Sequence, residues 1–155
     1  MNRKKGFTLV EILIVVIILG ILAAIVIPQF TEASNDARES ALASDLQTVR
    51  SQLELYKVQH LENYPGTDPD DGSFDAVLFK SQLTSRTNQS GTVGTDASSY
   101  PYGPYLQTFP TNPFASANGN AVEGAASQTA DGDPGWFFNT GTGKFSPNDS
   151  SHSSL

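Results

Sequence analysis

Two hydrophobic patterns follow one another in the first sixty residues. Phe7 to Ile27 reads FTLVEILIVVIILGILAAIVI, 21 positions that carry one charge, Glu11, and one hydroxyl, Thr8. As a helix rising about 1.5 Å per residue it spans roughly 32 Å, the thickness of a bilayer's hydrocarbon core. The run therefore predicts one membrane-crossing helix over 7–27. From Gln29 to His60 the pattern turns amphipathic: Phe30, Ala33, Ala37, Leu42, Leu46, Val49, Leu53 and Tyr56 recur every three to five residues, with Glu32, Asp36, Glu39, Asp45, Arg50, Glu54 and Lys57 on other faces. This predicts a stalk helix over 28–62, and residues 7 to 60 laid end to end would make a rod of about 80 Å. The Leu and Val stripe of the upper half suits burial against a compact domain, and the alanine stripe of the lower half suits close approach to other helices. A coiled-coil dimer is the competing pattern, but its heptad is irregular and short of strong a and d residues.

Asn63-Tyr64-Pro65-Gly66 ends the stalk, and Asp68-Pro69-Asp70-Asp71-Gly72 continues the turn chemistry. A short helix is expected from about Ser73 to Leu83, with Ser73 as N-cap and Phe74, Val77, Leu78 and Leu83 on its buried side. Residues 84–103, rich in Ser, Thr, Asn and Gly, read as a surface loop. Tyr105, Leu106, Phe109 and Phe114 alternate with Pro104, Pro110 and Pro113, which suits an extended clamp over the core. The aromatic run Trp136-Phe137-Phe138, a Gly-rich turn through Gly141 and Gly143, and Phe145 signal a hairpin. A third strand near Ala121 to Glu123 would complete a small antiparallel sheet over the helix. The expected class is α+β, with a head over 63–149 and a disordered tail over 150–155.

Charge orients this plan. Of nine Lys and Arg, three are Arg3, Lys4 and Lys5, so the remainder sets six basic residues against 16 acidic ones. The positive-inside bias places the N-terminus in the cytoplasm and the acidic body outside, in the periplasm of a bacterium. Phosphate neutralisation needs a basic face, so an acidic body argues against nucleic acid as partner. The absence of cysteine removes disulfides, thiolate metal sites and Cys nucleophiles. A cleaved secretory signal is the competing reading of the N-terminus. Against it stand the length of the apolar run, the weakness of the A-x-A-like sites near Ala24 and Ala33, and the helical pattern that continues beyond the membrane.

Glu11 is the unusual residue, because a carboxylate inside an apolar run costs at least a few kcal/mol unless partnered. Gly6 resists helix and leaves an accessible backbone at the membrane's cytoplasmic mouth. Pro28 has no N–H for the carbonyl of Ala24 and Gly20 is a weak point in the preceding turns, so a helix break is expected at Gly20 and Pro28. Lys4-Lys5-Gly6-Phe7-Thr8-Leu9-Val10-Glu11, followed by the apolar stretch, resembles the class III signal of type IV pilins and type II secretion pseudopilins. The resemblance implies a leader over 1–6, cleavage between Gly6 and Phe7 by a prepilin peptidase, and N-methylation of Phe7. It also implies that Glu11, Phe7 and Thr8 serve assembly, Glu11 answering the freed amine of a neighbouring subunit; pairing with its own chain's amine, or snorkelling to the interface, is the alternative. In relatives the stretch between the corresponding Gly and Pro melts in the assembled filament, and a simple kink is the other option.

Gly103-Pro104-Tyr105-Leu106, Asn112-Pro113-Phe114 and the terminal hairpin are similar, more loosely, to the G-type major pseudopilins. The resemblance implies a pilin-like fold, a homo-oligomeric helical filament, contact with other pseudopilins and an inner-membrane assembly platform, and a single-pass protein of the bacterial inner membrane. The expected function is a structural subunit of a type II secretion pseudopilus. The alternatives are a pilin or minor pilin of a surface fibre, with adhesion or motility as output, and a membrane-tethered binding module. No Ser-His-Asp, paired-carboxylate or phosphate-loop pattern suggests an enzyme. Asp68, Asp70 and Asp71 lack the spacing of a calcium loop, and Asp131 and Asp133 match no full ligand set, so turns held by Asx hydrogen bonds are the default and no cofactor or metal is expected, calcium being the one possibility. Tyr100, Tyr102 and Tyr105 could meet a secreted partner or pack against their own loop.

Overall fold

The computed structural model describes residues 6–68 and 71–155, so Arg3, Lys4, Lys5 and Asp70 lie outside the described residues. The chain forms two units, Met1–Ser40 and Ala41–Leu155. Helix α1, Leu9–Gln59, contributes to both. It continues through Gly20 and Pro28, so neither residue ends it here. Thr31 donates its hydroxyl to the carbonyl of Ile27 (3.2 Å), in the turn that contains the proline.

In the first unit every described side chain of α1 is exposed; its large apolar residues from Leu9 to Phe30 run from 43% to 80% accessible. This surface needs a non-aqueous cover, and the helix is long and apolar enough to cross a membrane.

In the second unit the heptad-like stripe Leu42, Leu46, Val49, Leu53 and Tyr56 is buried, as its spacing predicts. Helix α2 is Ala76–Thr84, with Asp75 as N-cap: its Oδ1 accepts from the amides of Val77 (2.8 Å) and Leu78 (2.9 Å). The expected start at Ser73 is thus two residues early, because Asp75 is the stronger cap and Ser73 is held in the preceding Asx turn of Asp71. The later start changes the buried face to Phe79, Gln82 and Leu83, leaving Val77 75% and Leu78 40% exposed.

Residues 84–103 are more than a loop. Strands β1 (Arg86–Thr87) and β2 (Val93–Gly94) pair antiparallel, and Thr87 bridges to Tyr102. Strands of two residues carry no periodicity a sequence can display. The C-terminal sheet contains β3 (Val122–Ala125), β4 (Trp136–Asn139) and β5 (Phe145–Pro147) in the order β3-β4-β5. The β4–β5 hairpin is antiparallel as expected, its turn held by Asn139 Oδ1, which accepts from Gly141 (3.0 Å) and Thr142 (2.8 Å). β3 runs parallel to β4, with Val122 opposite Trp136, so the sheet is mixed rather than antiparallel. The segment between them returns the chain to the starting edge, tied to the sheet by Gly132 N–H to Asn148 O and Gln128 to Asn148 Oδ1. This is α+β architecture consistent with a pilin-like fold.

Aromatic side chains fill the space between α1, α2 and the sheet. Phe79 lies 5.1 Å from Phe138, Trp136 stacks on Phe145 at 5.1 Å, and the buried indole donates to the carbonyl of Pro110. The tail is not free. Asp149 accepts from the His152 amide, His152 stacks on Phe114, and Arg50 donates to main-chain oxygens of Phe145 and Leu155. The expectation of disorder over 150–155 rests on terminal position, and these polar anchors carry no hydrophobic signal.

Candidate assembly site

Gly6, Phe7 and Thr8 precede the first helical residue, Leu9. Thr8 is the N-cap: its carbonyl accepts from Ile12 N–H, and its side-chain Oγ1 accepts from the amide of Glu11 at 3.2 Å. Glu11 reaches back, and its Oε2 accepts from both the Thr8 amide (2.9 Å) and the Thr8 hydroxyl (2.8 Å). This is a reciprocal capping box, in which two helix-terminal donors that have no intrahelical partner satisfy each other's side chains. The signal was present in Thr8-Leu9-Val10-Glu11, a threonine followed three residues later by glutamate before an apolar run, and the reading by charge alone passed over it. The carboxylate also sits at the positive end of the helix dipole.

Three expected site residues, Phe7, Thr8 and Glu11, are therefore brought together at one helix start, with the Phe7 ring 83% exposed. Gly6 is next to them, and a Cβ built on it would meet no atom within 4 Å. Gly20 is likewise open and lies with Pro28 farther along the same helix. On either side of Pro28, Val26, Ile27, Phe30, Ser34 and Arg38 line a shallow groove on the outer surface of α1.

The other candidates are used structurally. Asp71 closes an Asx turn on the Ser73 amide, which holds its carboxyl below the usual range. Asp131 accepts from the amide of Asp133, and Asp133 from the side chain of Asn118. Among the described residues no group of three or more His, Asp or Glu side chains is gathered as for a metal. Tyr105 donates to Gln59 Oε1 (2.6 Å), Tyr102 meets His60 edge-on and Tyr100 packs over Gly94, so these rings cover their own loop. His60 is buried between the carbonyl of Tyr56 and the hydroxyl of Thr87, and burial pushes its pKa down.

Residues 1–27 match the family model described as the prokaryotic N-terminal methylation motif. The type II secretion system core protein G of Klebsiella pneumoniae is 30% identical over 116 residues, covering 75% of this chain and 73% of that protein. The protein of the same name from Dickeya chrysanthemi is 31% identical over 73% of this chain and 65% of its own length. A fimbrial protein of Pseudomonas aeruginosa is 34% identical over 60% of this chain and 66% of its own. No solved structure matches.

Proposed function

The chain belongs to the family of type II secretion system core G proteins, the pseudopilins, and from that premise we propose that it is a structural subunit that polymerises through α1 to drive protein export. The observation that carries this reading is the Thr8–Glu11 capping box at the head of an uncovered apolar helix. A membrane tether needs the apolar length and has no use for a carboxylate at its entrance.

Peptidase cleavage between Gly6 and Phe7 would free an amine one residue from the Thr8 amide that Glu11 already holds. Both Thr8 bonds fall on Oε2. Oε1 is left for the amine of an adjoining protomer, which would neutralise both charges inside the apolar layer. The same site would be presented to the assembly platform and to other pseudopilins, with the C-terminal unit on the periplasmic side.

Glu11→Gln separates the two roles of the residue. A glutamine still accepts from Thr8 and preserves the cap, whereas it offers no charge to an amine. The expected result is a chain that inserts and folds normally but enters filaments at less than a tenth of the wild-type yield, scored by shearing and immunoblot alongside cargo export. Wild-type polymer from Glu11→Gln would refute charge pairing. The similarity to a fimbrial protein supports a second reading, a surface fibre subunit; loss of motility or adhesion with export intact in a deletion strain would favour it.

A further inference from the structure

The end of α1 presents an apolar edge that its own unit does not cover. Leu55 and Val58 are 43% and 71% exposed, on the side of the helix away from the buried Val49, Leu53 and Tyr56, and Leu61, just past the helix end, is 67% exposed. Leu61 and Glu62 follow one another at φ 58° and 66°, the left-handed region that favours glycine. The Glu62 N–H closes the helix end on the Lys57 carbonyl (3.0 Å), and the turn leaves the Leu61 side chain exposed. The edge carries a net negative charge: Glu54 and Glu62 flank a single cation, Lys57, which pairs with Glu62 at 3.7 Å and is drawn over the Tyr64 ring.

The groove on the first unit has the complementary character. Phe30 is 73% exposed beside Val26 and Ile27, and the far end carries Arg38, the only basic residue between Lys5 and Arg50. Arg38 makes no ion pair with any described residue. Lipid covers only part of this groove. Eleven residues of helix separate Arg38 from Ile27, roughly 16 Å, whereas headgroups extend about 5–8 Å beyond the hydrocarbon.

Resting on the polymer reading above, we propose that the Leu55-Val58-Leu61 edge of one copy docks lengthwise-staggered on the Val26-Phe30-Arg38 groove of a second copy of this chain. Val58 and Leu61 cover Phe30, and the exposed Glu62 carboxylate, which already pairs with Lys57, is shared with Arg38. In a body with six basic and 16 acidic residues, this contact uses an otherwise unpaired cation to offset repulsion between like-charged copies.

The chain contains no cysteine, so paired cysteines give an unambiguous readout. Phe30→Cys and Leu61→Cys are placed on separate, co-expressed copies, and assembled filaments and the unassembled membrane pool are oxidised in parallel. Disulfide dimers are expected in filaments only when both variants are present, and are expected neither in the membrane pool nor when Phe30→Cys is paired with Val77→Cys. Independently, Arg38→Glu should lower filament yield at least fivefold, and adding Glu62→Arg in the same chain should restore it. Wild-type yield from Arg38→Glu together with no Phe30–Leu61 dimer overturns the contact while leaving polymerisation standing, the result also expected if Phe30 merely anchors at the membrane interface. Failure of the wild-type chain to form filaments would instead remove the polymer reading, and this contact with it.

Discussion

His60 locks the end of α1 to the β1 strand, and its protonation offers a sharp test of the packing. The ring is 2% exposed and stacks on Tyr56 at 3.7 Å with an interplanar angle of 4°. Its Nδ1 lies 2.8 Å from the Tyr56 carbonyl and its Nε2 lies 2.9 Å from Thr87 Oγ1. A carbonyl can only accept, so Nδ1 carries the proton, Nε2 takes the threonine hydroxyl, and the imidazole is neutral. Thr87→Val keeps the volume and strands Nε2 in the core, which costs about 1–3 kcal/mol. His60→Phe keeps the stack, strands the Tyr56 carbonyl and leaves the Thr87 hydroxyl only its contact with Tyr105, at about the same cost. Together they remove both partners of one bond, so the double variant should fall short of additivity by about 1–2 kcal/mol. Burial lowers the folded-state pKa below the ordinary 6.5. Above that pH the ring is neutral in both states and stability is full; below it the unfolded chain takes up a proton that the folded chain refuses, so stability is lost as pH falls through the folded pKa. At pH 5.5 the loss amounts to at most about 1.4 kcal/mol relative to pH 7.5. Urea unfolding of the detergent-solubilised chain, followed by the fluorescence of its single, buried tryptophan, measures both effects. Equal pH slopes for wild type and His60→Phe, or strict additivity in the cycle, would contradict this account.

Three further substitutions probe separate parts of the chain. Asp75→Ala removes the cap of α2 and should destabilise the C-terminal unit by about 1 kcal/mol, measured by the same urea titration, with Ser73→Ala costing less. Gly143→Ala drives a Cβ into the Tyr64 ring at φ +74°, so it should cost more than about 1 kcal/mol, and a neutral result would refute this packing of Tyr64 on the hairpin turn. Gly6→Ala meets no atom in the folded chain, so unchanged stability with an unprocessed precursor by intact mass would assign its role to the peptidase; normal processing would refute that role.

Features that repeat over many residues were legible in the sequence. The apolar run from Phe7 to Ile27 and the stripe from Leu42 to Tyr56 each span several turns, so burial stamps a period on them. The β4–β5 hairpin was legible because Asn139 and Gly143 serve turn geometry that few residues satisfy. Direction was harder. An antiparallel neighbour is expected for β4, yet a loop without a helix carries β3 into parallel register. The tail and the β1–β2 pair were missed because isolated hydrogen bonds, such as those of Arg50 and Asp149, impose no pattern on their neighbours. At the assembly site, residue types and spacing were readable while their local bonding was overlooked, since Glu11 was weighed as a charge and not as a cap.

That second role changes the energetics of assembly. A bare carboxylate in hydrocarbon would cost several kcal/mol, and the two bonds from Thr8 offset part of this before any partner arrives. Hydrogen bonds from a neutral amide and a hydroxyl leave the net charge of −1 in place, so the unassembled helix remains incompletely satisfied. On the proposed assembly reading, the cap would let the subunit wait in the membrane without removing its reason to polymerise. It also fixes the direction of the carboxylate, because both Thr8 bonds engage Oε2 and orient the remaining oxygen. Thr8→Val should then impair assembly less than Glu11→Ala does, since it loosens the orientation of a charge that is still present. If Thr8→Val abolished filaments as completely as Glu11→Ala while insertion stayed normal, the orientation of the carboxylate would outweigh its charge, and the ranking argued here would be reversed.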